Sequence, residues 1–284
     1  MSRKIDDNIY AYFDNNNLEE MTIKIIDFVW KEKYENNKSF KLIQNTKKSR
    51  VYKFTYNSIE YYFKYYQPYK IKKIIKNQFR KVEALRHYNT ASALLSVDVP
   101  TIKPCIAITN RINILYKESI FVMKEVKGVT VEEYLGNKKI TYKQRREIIK
   151  QMALIYSKLV NNKYLHQDPT LFNFLIKEEG NSLKLTMIDV DNIYKVKYFP
   201  KNLIIYTIAK LYARILCDIY EYNLEPLNKK EVYLFLNTFL SNCNKYLNKN
   251  QFINLINKKA IKLLLKYNGR DIIDMDIVLR NYQL

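Results

Sequence analysis

The chain has 284 residues and carries 49 Lys and Arg against 28 Asp and Glu, a formal net charge of +21 at pH 7. A hydrophobic fraction of 48% with 14% aromatics excludes a disordered chain and suffices for a sizeable core in one or two domains. Three scattered cysteines, Cys105, Cys217 and Cys243, exclude a disulfide framework and fit a reducing compartment. The N-terminus lacks an apolar signal core, so a cytoplasmic protein is expected. The abundance of Lys, Asn, Ile and Tyr looks like codon bias, which inflates the positive charge.

In chain order, residues 18–33 have the spacing of an amphipathic helix, with Met21, Ile25, Phe28 and Val29 on its apolar side. Residues 40–44, 50–56 and 59–66 read as three strands, the last two joined by a tight turn at Asn57-Ser58. Residues 71–95 form one long helix. Two more strands follow at 105–109 and 119–126. From Gly128 onward the pattern is largely helical. Residues 141–162 place Ile148, Met152, Ile155 and Leu159 on one helix face. Residues 174–176 and 183–190 read as short strands joined through Gly180-Asn181. Residues 203–219 form the most apolar stretch, but Lys210 and Arg214 interrupt it, so it reads as a buried helix and not a membrane span.

His166 to Asn173 spells H-x-D-x-x-x-x-N, and Asp189 follows sixteen residues later. His occurs only twice in the chain, so its position at the head of this pattern carries weight. Phosphoryl transfer needs an acidic group beside the attacking hydroxyl, and an amide and a carboxylate to hold Mg²⁺ against nucleotide phosphates. A loop followed by a hairpin supplies all three as Asp168, Asn173 and Asp189. The plainer alternative is a polar turn with capping aspartates. Lys64, at the end of the third strand, can reach nucleotide phosphates if a carboxylate in the next helix holds it. Glu83 is the one acidic residue between Lys64 and Asp98. Backbone groups near Glu125 and Val126 have the form of a hinge that bonds an adenine edge, with Met123 behind it. The order of strands and helices gives an α+β, bilobal protein-kinase-like fold. Its small lobe, residues 1–125, holds an N-terminal helix, a five-stranded antiparallel sheet and one long helix. Its mainly helical lobe spans 126–284.

Three segments carry a family resemblance: Tyr61-Tyr62-Phe63-Lys64; residues 121–131 with Glu125-Val126-Lys127-Gly128-Val129; and Asp168-Pro169-Thr170-Leu171-Phe172-Asn173-Phe174-Leu175-Ile176 followed by Ile188-Asp189. Together they resemble the lipopolysaccharide core heptose(II) kinases (the RfaY/WaaY family), a bacterial branch of the kinase-like fold. The resemblance covers roughly residues 18–193. It implies ATP and Mg²⁺, with Asp168 as catalytic base, Asn173 and Asp189 as metal ligands, Lys64 on the phosphates and Glu83 holding Lys64. His166 would brace the loop. The implied acceptor is an inner-core sugar, heptose in that family, on a lipid-anchored molecule at the inner face of the inner membrane. A basic surface suits anionic headgroups.

The sequence departs from the kinase pattern at four places. The turn at 44–50 has no glycine to cradle phosphate, so Lys47, Lys48 or Ser49 would have to serve. Tyr62 stands where a small residue usually roofs the adenine. Ile188-Asp189-Val190-Asp191 replaces D-F-G, leaving Asp191 as a further ligand or a turn residue. No A-P-E-like segment follows, which argues against a protein kinase with a regulated loop. Two alternatives remain. One is a kinase-like enzyme with another small-molecule or protein acceptor. The other is a non-catalytic basic protein binding membrane or nucleic acid, with Tyr stacking on bases. The run Lys70, Lys72, Lys73, Lys76, Arg80, Lys81 and Arg86 is either a solvated face or a functional patch. A binding protein has no use for Lys64, Asp168, Asn173 and Asp189 together, and no nucleic-acid partner is expected.

Overall fold

A computed structural model describes residues 2–13, 16–31, 39–67, 81–112, 117–137, 140–180, 182–244 and 248–267. They gather into two compact units, Met1–Leu95 with Ile102–Val126, and Ser96–Thr101 with Lys127–Leu284.

The first unit is built on a seven-stranded sheet. Its strands are β1 (Ser2–Asp6), β2 (Ile9–Phe13), β3 (Phe40–Asn45), β4 (Ser49–Tyr56), β5 (Ile59–Tyr66), β6 (Pro104–Arg111) and β7 (Lys117–Lys124). They lie in the order β1-β2-β6-β7-β5-β4-β3, and every pairing is antiparallel. This corrects the expectation of five strands. The β1–β2 hairpin adds two at the β6 edge, and its polar first strand gives no alternation to read. Strand β2 does alternate, burying Ile9, Ala11 and Phe13.

Period-two alternation divides the sheet between two helices. Helix α1 (Glu19–Trp30) buries Met21, Ile25 and Ile26 against Phe63, Tyr65, Ile106, Ile108, Ile120 and Val122. Helix α2 (Glu83–Leu95) takes the opposite face. There the His87 ring stacks on Phe121 at 3.9 Å between centroids, and the Tyr66 hydroxyl meets His87 Nδ1 at 3.0 Å. Expectation placed α2's helix from residue 71, but residues 68–80 lie outside the described residues. Most of the basic run lies there too. A buried carboxylate fastens α1 to the sheet: Glu118 Oε2 accepts from Trp30 Nε1 and from the Tyr65 hydroxyl, both at 2.6 Å.

The second unit is mainly helical. Its elements are β8 (Val129–Thr130), α3 (Val131–Gly136), α4 (Tyr142–Asn161), β9 (Tyr164–His166), β10 (Phe174–Glu179), β11 (Ser182–Met187), β12 (Ile193–Lys195), α5 (Lys201–Glu221), α6 (Lys229–Asn242) and α7 (Lys249–Lys266). Strands β11-β10-β8 form a three-stranded sheet, and β12 pairs with β9. Helix α4 starts at a capping box of Thr141 and Gln144, and α6 at one of Asn228 and Glu231. The stretch Ser96–Thr101 belongs to this unit because Met187 N–H donates to the Pro100 carbonyl, and the Thr101 hydroxyl to the Met187 carbonyl.

Candidate active site

The loop after β9 is held from three directions. The Gln167 amide donates to the Asn192 carbonyl at 3.0 Å, and the Thr170 amide to the Asp168 carbonyl at 3.1 Å. The Asn173 side-chain amide donates to the Asp168 carbonyl at 2.6 Å. On its other side, the Asn173 carbonyl accepts from the Ile188 amide at 3.0 Å, next to Asp189. Asp168, Asn173 and Asp189 are thus drawn together by the loop's own backbone, across 22 residues of sequence. The single 3-10 turn at Leu171–Asn173 completes the link into β10.

His166 is fully buried in β9, and its Nδ1 lies 2.9 Å from the Tyr156 hydroxyl of α4. Burial pushes its pKa down to about 3, against the nearby charge of Asp189, so the ring is neutral. Its place is structural, tying the loop's start to α4.

Helix α5 supplies contacts that the sequence reading did not assign. Lys210 Nζ donates to the Gln167 carbonyl. An Arg214 guanidinium nitrogen (Nη2) lies 3.1 Å from Asp168 Oδ1. The Leu171 amide donates to Asp218 Oδ2 at 2.7 Å. These residues stand at i, i+4 and i+8, one face of a helix. Three charged residues at that spacing within the apolar stretch 203–219 were the available signal. Burial raises the Asp218 carboxyl to about 6, against the Leu171 hydrogen bond and Arg214.

The protein oxygens fit a hard divalent cation. The Asn173 side-chain nitrogen is engaged, so its Oδ1 is the end that could face a metal. No cluster of three or more His, Cys, Asp or Glu that could hold a metal occurs among the described residues. Asp191 lies in the turn before β12, closed by the Ile193 amide on the Val190 carbonyl.

In the first unit, Lys64 and Glu83 share one side of the sheet. Lys64 pairs across the strands with Phe121, which stacks on His87 of α2. The Ser119 Oγ, two residues along β7, accepts from the Ala84 amide, next to Glu83. Glu83 is buried at the first turn of α2 and is 3.8 Å from Arg86. At the end of β7 one backbone donor is engaged. The Glu125 amide donates to the Glu60 carbonyl at 2.9 Å, which leaves the Glu125 carbonyl and the Val126 backbone as the groups near the expected hinge. The Glu125 carboxylate holds Lys53 at 2.8 Å and the Tyr62 hydroxyl at 3.3 Å. Tyr62 is therefore anchored in place.

Comparison with known proteins bears on this arrangement. The sequence model of the family described as "Lipopolysaccharide kinase (Kdo/WaaP) family" matches residues 32–214. No curated protein matches in sequence. A solved structure, "WaaP in complex with acyl carrier protein", is similar with a TM-score of 0.58 at 16% identity, covering 78% of this chain and 88% of that one. At that identity the likeness establishes the fold, which is the kinase-like one expected.

Proposed function

The chain belongs to the lipopolysaccharide kinase (Kdo/WaaP) family, a phosphotransferase acting on a sugar hydroxyl, and from that premise we propose that it transfers the γ-phosphate of ATP to a heptose hydroxyl of the lipopolysaccharide inner core. The observation that carries this reading is the convergence of Asp168, Asn173 and Asp189 through the hydrogen bonds of Asn173 and Ile188.

Asp168 orients the acceptor hydroxyl and takes its proton. The sugar oxygen forms a bond to the γ-phosphorus while the bond to the bridging oxygen breaks, and ADP leaves with that electron pair. Asn173 and Asp189 would hold Mg²⁺, which would supply positive charge against the phosphates. Lys64, held by Glu83, serves the α- and β-phosphates. The Glu125 carbonyl and the Val126 backbone serve the adenine. The heptose(II) branch rests on the segments at 61–64, 121–131 and 168–176. A net charge of +21 supports peripheral attachment to an anionic membrane face. No helix among the described residues is long and apolar enough to cross one. The similar solved structure contains an acyl carrier protein, and we extend a carrier-protein partner to this chain as a proposal that co-purification tests.

The test is mass spectrometry of core lipopolysaccharide from cells with the wild-type protein, without it, and with Asp168→Ala. Both altered strains are expected to lack one phosphate on the core. In vitro, Asp168→Ala lowers kcat by about 10²–10⁴-fold with Mg-ATP affinity retained. An unchanged core and unchanged turnover would remove Asp168, and the sugar acceptor with it.

A further inference from the structure

The α5 stripe holds more positive charge than the catalytic loop needs. Asp218 is buried, accepts from the Leu171 amide and feels the Arg214 charge. Lys210 and Arg214 remain on the loop side, both only partly buried, and the described carboxylate that Arg214 pairs with is Asp168. If Asp168 turns to a sugar hydroxyl, that guanidinium loses its hydrogen-bonded carboxylate and keeps only the buried Asp218 charge nearby. Its Nε is already buried without an acceptor among the described residues. The Tyr267 ring lies against the guanidinium at 4.6 Å. Lys210 lies over the Tyr206 ring at 6.0 Å, and Lys259 of α7 reaches the same ring at 5.5 Å. The Lys210 ammonium is pushed down first by burial and then by Arg214 and Lys266, with Asp168 opposing. Two partly buried cations this close, one of them with an orphaned N–H, favour an anion beside them.

Building on the role given to Asp168 above, we propose that Lys210 and Arg214, with Lys266 at its rim, form an anion subsite for a phosphate or carboxylate on the acceptor sugar, next to the hydroxyl that Asp168 receives. Arg214 then does two things in turn. It holds Asp168 before the acceptor arrives, and it binds the acceptor's anion when Asp168 takes the hydroxyl. The forked guanidinium suits either oxyanion.

The test is steady-state kinetics with Mg-ATP and three core oligosaccharide acceptors: native, dephosphorylated and carboxyl-reduced. Lys210→Gln and the exposed Lys266→Gln are the variants. KM for the native acceptor is expected to rise about tenfold in Lys210→Gln and less in Lys266→Gln, with KM for ATP unchanged, as for the loss of a charge-assisted hydrogen bond. The variant effect vanishes on the dephosphorylated acceptor if phosphate is the anion, and on the carboxyl-reduced one if it is carboxylate. A raised KM for ATP would assign these cations to the donor and overturn the subsite. So would equal effects on all three acceptors, or none. A wild-type enzyme that phosphorylates no core acceptor would overturn the function above instead. The subsite is then decided by titrating nucleotide-free protein with inorganic phosphate. The Arg214 Nε–H resonance is expected to shift, and a resonance that stays put overturns it.

Discussion

At the scale of single residues, the chemistry rests on which end of a side chain is already spent. Asn173 uses its amide nitrogen on the Asp168 carbonyl, so it offers only oxygen to a cation. Asp189 follows Ile188, whose amide is pinned to the Asn173 carbonyl, so the backbone holds it beside the loop. Asp189→Asn should therefore leave the fold intact. It is expected to weaken Mg²⁺-dependent nucleotide binding at least about tenfold, a scale on which even indirect partners of a metal matter. Calorimetry giving equal Mg-ATP binding for the two proteins would remove Asp189 from the metal site. The Glu125 amide is likewise already given to the Glu60 carbonyl. Donors consumed by neighbouring strands cannot be read from a sequence.

At the scale of elements, two positions decide how the second unit is assembled. Gly128 has φ of +151°, and a Cβ there would lie 2.5 Å from the Ile176 carbonyl oxygen. Only glycine lets β8 approach β10, which carries the loop into the hairpin. Gly128→Ala is expected to cost about 1–3 kcal/mol, read as a lowered urea midpoint. Arg145 of α4 is the second position. It donates to Glu231 Oε1 at 2.6 Å, to Glu225 Oε2 at 3.0 Å, and to the carbonyls of Glu225 and Pro226 at 2.9 and 2.8 Å. Glu231 is 1% exposed and also closes the cap of α6 by accepting from the Asn228 amide. Arg145→Met strands that buried carboxylate and is expected to cost about 3–5 kcal/mol. Adding Glu231→Gln should recover part of the loss. A double variant no better than the single would place the cost in the loop carbonyls.

At the scale of the whole molecule, two buried groups pull the pH dependence of stability in opposite directions. His166 titrates near 3 inside the fold, below the ordinary 6.5. The unfolded chain therefore binds its proton first. The stability it contributes is complete above pH 6.5 and is lost as pH falls toward 3. Asp218 titrates near 6 inside the fold, above the ordinary 3.8. Its contribution is complete below 3.8 and is lost as pH rises through 6. Between pH 4 and 6 the two slopes cancel in part, each limited to about 1.4 kcal/mol per pH unit for one whole proton. His166→Gln should flatten or reverse the rise of stability with pH in this window. Asp218→Asn, whose amide oxygen can still accept from Leu171, should steepen it. Urea midpoints measured from pH 4 to 7 check both, and parallel curves for all three proteins would refute the assignment of these two groups.

The sequence alone determined what local pattern controls. Periodicity placed α1, α4, α5 and the strands β3 to β7, because an amphipathic face repeats within a few residues. The spacing from His166 to Asn173 and on to Asp189 was legible because one loop and one hairpin carry all three groups. The tertiary structure decided what depends on distant neighbours. The β1–β2 hairpin found its place through pairing with β6, about a hundred residues away. The Lys210, Arg214 and Asp218 stripe acquired meaning only when α5 lay beside a loop more than forty residues upstream. Local sequence fixes which way a side chain faces on its own element; only packing decides what stands opposite it.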